Sequence, residues 1–131
     1  MARILVVEPE KSASEFIVEI VRRYAVNKYV SEWSLRFTEV SNSAEALDRI
    51  KEHNFELIIS DISIARADNW EFIRVLRKGT DHFDLPIVVT SAIGGIELEY
   101  MSKRAGASMF FTKPLEPKKF VDDIFTLIME R

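Results

Sequence analysis

The feature that most constrains this chain is a strict alternation of short apolar runs with stretches of helical apolar periodicity. Ile4, Leu5, Val6 and Val7 make the first run, which ends in Glu8. Ile17, Ile20, Val21 and Tyr24 then recur at i, i+3, i+4 and i+7, the mark of an amphipathic helix. Ser12 and Glu15 form a capping-box pattern at its start. A strand is predicted over 35–40. Asn42 and Glu45 repeat the box, and Ala44, Leu47 and Ile50 give the next helix a narrow stripe. Leu57, Ile58 and Ile59 read as a buried strand that ends in Asp61. Asp68 and Glu71 open a third helix through Phe72, Ile73 and Leu76, with Gly79 at its C′ position. Pro86 introduces a strand over 87–90. A fourth helix is predicted over 96–105, closed by Gly106, and a short fifth strand over 109–111. Pro117 suits the first turn of the last helix, whose core side carries Phe120, Ile124, Leu127 and Ile128.

Five strands alternating with five helices define an α/β fold, a parallel sheet covered on both faces. The crossovers are expected to be right-handed. A length of 131 residues suits one domain over 1–131. No repeat, low-complexity tract or linker interrupts it. The one long connection, 26–34, either extends the first helix or makes a surface excursion.

Composition removes several function classes. The chain has no cysteine, which excludes disulfides and thiolate chemistry. Its four glycines, Gly79, Gly94, Gly95 and Gly106, satisfy neither a dinucleotide fingerprint nor a Walker loop. His53 and His82 are too far apart for a helical metal pair. Eighteen basic against 21 acidic residues leave a net charge of −3 and a pI near 5.5, a poor balance for direct nucleic-acid binding. Apolar runs of about four residues fall far short of a membrane span of about 20. No signal-peptide pattern fits the N-terminus, so the expected location is the cytoplasm.

In open α/β sheets the ligand site lies beyond the carboxyl ends of the strands. Glu8, Pro9 and Glu10 follow the first strand, Asp61 ends the third, Thr90 and Ser91 end the fourth, and Thr112, Lys113 and Pro114 end the fifth. Acids, a hydroxyl and an ammonium thus converge, the set needed to handle a phosphoryl group. A carboxylate can accept phosphorus as nucleophile, while a hydroxyl and a lysine grip its oxygens.

These residues resemble a response-regulator receiver domain, the phosphorylated module of two-component signalling, along the whole chain. Asp61 falls where that family has its phosphoacceptor. Ser91 with Ala92 matches the switch hydroxyl and its small neighbour, Phe110 the switch aromatic, and Lys113 with Pro114 the lysine and its proline. The spacings of 30 residues from Asp61 to Ser91 and 52 to Lys113 also match. The resemblance implies a flavodoxin-like three-layer sandwich of strand order 2-1-3-4-5 and a cis Lys113–Pro114 bond. It also implies Mg²⁺ held by Glu8, Asp61 and the backbone carbonyl of Ser63. Pro9 stands where the family usually has a second acid that binds the metal, so metal binding is expected to be weakened. Glu10 reads as a solvated acid at a helix start. Ile64, Ala65 and Asn69 replace a Met-Pro pair and a glycine near the acceptor, and Asn69 tolerates the left-handed turn needed there.

The function implied is a phospho-switch. A histidine kinase or phosphotransferase phosphorylates Asp61, the loop with Gly94 and Gly95 shifts, and Phe110 turns inward. The face of the fourth helix, fifth strand and fifth helix then meets a downstream protein, and the resemblance also allows a homodimer. Tyr100, Lys103 and Arg104 on that face read equally well as interaction residues or as ordinary solvated ones. The alternative is a phosphorylation-independent pseudo-receiver that uses the same face for docking or dimerisation. An enzyme is not expected. Dehalogenase-type phosphatases need a second aspartate two residues after the nucleophile, where this chain has Ser63.

Overall fold

The computed structural model describes residues 2–68, 70–81 and 84–130. In chain order the elements are β1 (Ala2–Val7), α1 (Lys11–Ala25), β2 (Leu35–Val40), α2 (Ser43–Glu52), β3 (Leu57–Asp61), α3 (Ile62–Arg66), α4 (Glu71–Arg77), β4 (Ile87–Ser91), α5 (Ile96–Ala105), β5 (Met109–Thr112) and α6 (Pro117–Met129). All pairings are parallel, in the order β2-β1-β3-β4-β5. The fourth and fifth helices of the sequence reading are therefore α5 and α6. The Asn69 position lies outside the described residues.

Alternation within each strand builds the three layers, because successive side chains leave opposite faces of a sheet. Ile4, Val6, Leu57, Ile59 and Val88 face one way and pack on Ile17, Ile20 and Val21 of α1 and on Phe120, Ile124 and Phe125 of α6. Leu5, Val7, Ile58, Ile87 and Val89 face the other way, against residues of α2, α3, α4 and α5. Each fully buried Ile, Leu or Phe contributes about 1.5–3 kcal/mol of transfer free energy, which explains why the strands stay apolar on both faces.

Six α-helices, not five, appear among the described residues, beside a short 3-10 turn at Glu32–Ser34. The added one is α3, a five-residue helix directly after Asp61. It exists because the Asp61 side chain caps it, accepting from the backbone N–H of Ser63 at 2.9 Å. Three further expectations are corrected. Helix α1 starts at Lys11 after Glu10, so Ser12 lies inside it and caps nothing. Helix α4 starts after Trp70, whose φ of 67° is left-handed, so Asp68 is not its N-cap residue. In α2 Ala44 is exposed and Ala46 is the buried residue. The box at Asn42 and Glu45 does form, with the Asn42 side chain accepting from the Glu45 N–H at 2.9 Å.

The 26–34 connection is a surface excursion. Helix α1 stops at Ala25, and Val26 bridges Val30. The Tyr29 ring stacks on Phe125 at 5.0 Å, and its hydroxyl donates to Asp122 of α6 at 2.6 Å.

Candidate functional site

The strand order brings the ends of β1, β3, β4 and β5 to one edge of the sheet, and their polar residues meet there. Glu8 follows β1 and is only 4% exposed. Its backbone N–H donates to the carbonyl of Val40, which pins the β1 end to β2. Its Oε2 accepts from the N–H of Glu10 at 3.0 Å. The Glu10 side chain itself is exposed, as is Pro9.

Asp61 closes β3 and is 9% exposed. Oδ2 accepts from both the N–H and the hydroxyl of Ser63. Oδ1 accepts from Lys113 Nζ at 2.8 Å, and the same ammonium donates to Glu8 Oε1 at 2.9 Å. One lysine thus bridges two carboxylates that lie far apart in sequence. Its own position is set by the backbone: Lys113 N–H donates to the Ser91 carbonyl at 2.7 Å, and the Lys113–Pro114 bond is cis, as expected.

The electrostatics follow from this bridge. Burial alone would push the Asp61 carboxyl up, but the hydrogen bonds from Lys113 and Ser63 outweigh it and hold it below the usual aspartate range. Burial likewise opposes the Lys113 charge, and its bonds to Asp61 and Glu8 more than offset it, so its ammonium is held above the ordinary lysine value.

Ser91 ends β4 fully buried. Its hydroxyl donates to the Ile93 carbonyl at 2.6 Å and accepts from the Ile93 N–H at 3.0 Å, so it organises the β4–α5 loop and is not bonded to Asp61. Phe110 of β5 is partly buried against the core on the α2–α5 side. The structure therefore brings Glu8, Asp61 and Lys113 into direct contact and leaves Ser91 and Phe110 beside them with other partners.

Sequence reasoning missed two features. The Ser63 hydroxyl bonds the Asp61 carboxylate; an aspartate two residues before a serine, at a helix start, is the signal that could have found it. Thr90 lies in register with Asp61, and its hydroxyl is buried with no partner in this structure. No sequence signal distinguishes such a hydroxyl from a satisfied one.

The resemblance implies Mg²⁺ at this edge, and the residues here do not fit that ion. Magnesium demands octahedral oxygen ligation. The facing oxygens of Glu8 and Asp61 both bond an ammonium, and Pro9 offers no ligand. Ser63, whose carbonyl was expected to be a ligand, lies inside α3. Helix carbonyls point toward the C-terminal end, away from Asp61 at the N-cap. Among the described residues, no group of three His, Cys, Asp or Glu could hold a metal ion.

Comparison with known proteins accords with this architecture. A family model for the response regulator receiver domain matches residues 4–125. A probable transcriptional regulator, ycf29 of Pyropia yezoensis, is 26% identical over 110 residues, covering 84% of this chain and 50% of that protein. Response regulator Rre1 of Synechocystis is 31% identical over 77 residues, covering 59% of this chain and 33% of its own. The chain thus spans half or less of the length of these two relatives. A two-component response regulator from Clostridium difficile superposes with a TM-score of 0.80 at 19% identity, covering 100% of this chain and 98% of that one. No helix among the described residues is long and apolar enough to cross a membrane. With its parallel 2-1-3-4-5 sheet and a family match over nearly its whole length, the chain belongs to the response regulator receiver domains, the signalling modules of two-component systems.

Proposed function

We propose that Asp61 accepts a phosphoryl group from the phosphohistidine of a sensor kinase or phosphotransferase. The observation that carries this reading is the Lys113 ammonium, held 2.8 Å from an ionised, nearly buried Asp61. An Asp61 carboxylate oxygen attacks phosphorus, the P–N bond breaks, and the imidazole leaves with the electron pair and takes up a proton from solvent. Lys113 balances charge on the transferring oxygens. The Ser91 hydroxyl then exchanges Ile93 for a phosphoryl oxygen. That exchange moves the β4–α5 loop, and Phe110 turns with it. The readout is the face of α5, β5 and α6, where a downstream protein docks; Ile96 and Tyr100 of α5 and Ile93 of the loop before it are exposed. The population shift requires that the phosphoryl group be bound better in the shifted state. The domain acts as a signalling acceptor, not as a turnover enzyme.

Acetyl phosphate in magnesium-containing buffer, followed by intact mass, tests this directly. The wild type is expected to gain one phosphoryl group and Asp61→Asn none. An unmodified wild type beside a modified receiver control would overturn it.

Pro9 favours a second reading, in which the same face docks a partner without phosphorylation. That reading expects Asp61→Asn to leave partner binding unchanged, whereas the first expects the phosphorylation-dependent part of binding to vanish.

A further inference from the structure

The acidic corner carries a charge balance and a bonding pattern that set it apart from a metal site. Four carboxylate oxygens are present, two from Glu8 and two from Asp61, and all four already have donors. Glu8 Oε1 and Asp61 Oδ1 face each other across Lys113 Nζ at 2.9 and 2.8 Å. Glu8 Oε2 accepts from the Glu10 N–H, and Asp61 Oδ2 accepts from Ser63. Two carboxylates and one ammonium leave a single net negative charge. A second acid at position 9 would add another; proline adds none and exposes only its ring.

We infer that Lys113 is itself the resident cation of this corner, so that the protein has no specific Mg²⁺ site there. A divalent ion would have to strip the same two oxygens from the ammonium. It would also sit within a few ångströms of a positive charge in a pocket where the Glu8 and Asp61 side chains are only 3% and 11% exposed. Its coordination shell would gain no protein ligand in exchange, because α3 turns the Ser63 carbonyl away. This inference concerns the resting corner and stands apart from whether Asp61 is phosphorylated.

The test is a magnesium chloride titration of the unphosphorylated protein, followed by ¹H–¹⁵N shifts of the Glu10 and Ser63 amides, against sodium chloride at equal ionic strength. The wild type is expected to show no saturable change specific to Mg²⁺. Pro9→Asp places a carboxylate at an exposed position and is expected to show a saturable change specific to Mg²⁺ that the wild type lacks. Lys113→Met removes the competing ammonium and is expected to gain binding by a second route. Saturable wild-type binding that disappears in Asp61→Asn would overturn the inference. So would a failure of both Pro9→Asp and Lys113→Met, each folded, to gain any affinity. A gain in either variant with none in the wild type supports it.

Discussion

Helix α5 and the α1/α6 pair across the sheet are held by different means. On the α1/α6 face, large side chains interlock: Ile17, Ile20 and Val21 meet Phe120, Ile124 and Phe125, and Tyr29 stacks over the last of these. On the other face, α5 buries only Ser102 and Ala105 and leaves Ile96 89% exposed. What anchors α5 is polar and sits at one end. The Arg77 guanidinium of α4 donates to the Gly106 carbonyl at 2.8 and 2.6 Å and to the Leu85 carbonyl at 2.9 Å. The opposite end of α5, nearest Asp61, starts from Gly95 at φ 132° with no side-chain cap. Cohesion by burial makes the α1/α6 face a rigid platform. Cohesion at one end makes α5 a lever pivoted far from the site, and a small change at Ser91 can move its near end at little cost in buried area.

This contrast orders the effects of substitution. Phe120→Ala, in the rigid face, should cost about 3–5 kcal/mol in urea unfolding, because it removes a buried ring and leaves a cavity. A loss under about 1 kcal/mol would show that the platform repacks readily. Lys113→Met comes next. Breaking a buried pair costs about 3–5 kcal/mol, but this side chain is 25% exposed, so about 1–3 kcal/mol is expected.

The same variant has a pH signature. The folded Lys113 pKa lies above its unfolded value, so its contribution is whole below about pH 10.4 and is lost as pH rises through the folded value. The folded Asp61 pKa lies below its unfolded value, so its contribution is present above about pH 3.9 and is lost as pH falls through the folded value. Wild-type stability should therefore fall at both ends, and Lys113→Met should flatten the alkaline fall. Unchanged alkaline unfolding in the variant would remove the bridge from the account.

Arg77→Ala leaves the Gly106 carbonyl without the guanidinium and should cost about 1–3 kcal/mol, with faster amide exchange in α5 than in α6. Equal exchange in the two helices would break the lever picture. Ile96→Ser should change stability by less than about 0.5 kcal/mol, since its side chain is almost wholly exposed. A larger loss would mean that α5 is packed more tightly than its burial shows.

The parts legible in the sequence are those that depend on periodicity and topology. The strand ending at Asp61 was readable because an apolar run stops at a carboxylate. The convergence of Glu8, Ser91 and Lys113 followed from strand ends sharing one edge. Helix α3 was not readable, because five residues carry no period and the helix rests on a side-chain cap from Asp61. The start of α1 was misplaced because a serine three residues before a glutamate is only a pattern. Here Glu8 already engages the Glu10 N–H, and the helix begins one residue before Ser12. Within the site, the residue types were legible and their partners were not. That Lys113 spans both acids, and that Ser91 bonds Ile93, depends on rotamers and on loop backbone that no spacing encodes.

Phosphotransfer to Asp61 from a phosphorylated histidine phosphotransferase, run in parallel in chelator and in magnesium, tests the central claim most directly. The account predicts label on the wild type, lost in Asp61→Asn. No label in either condition would contradict Asp61 as acceptor.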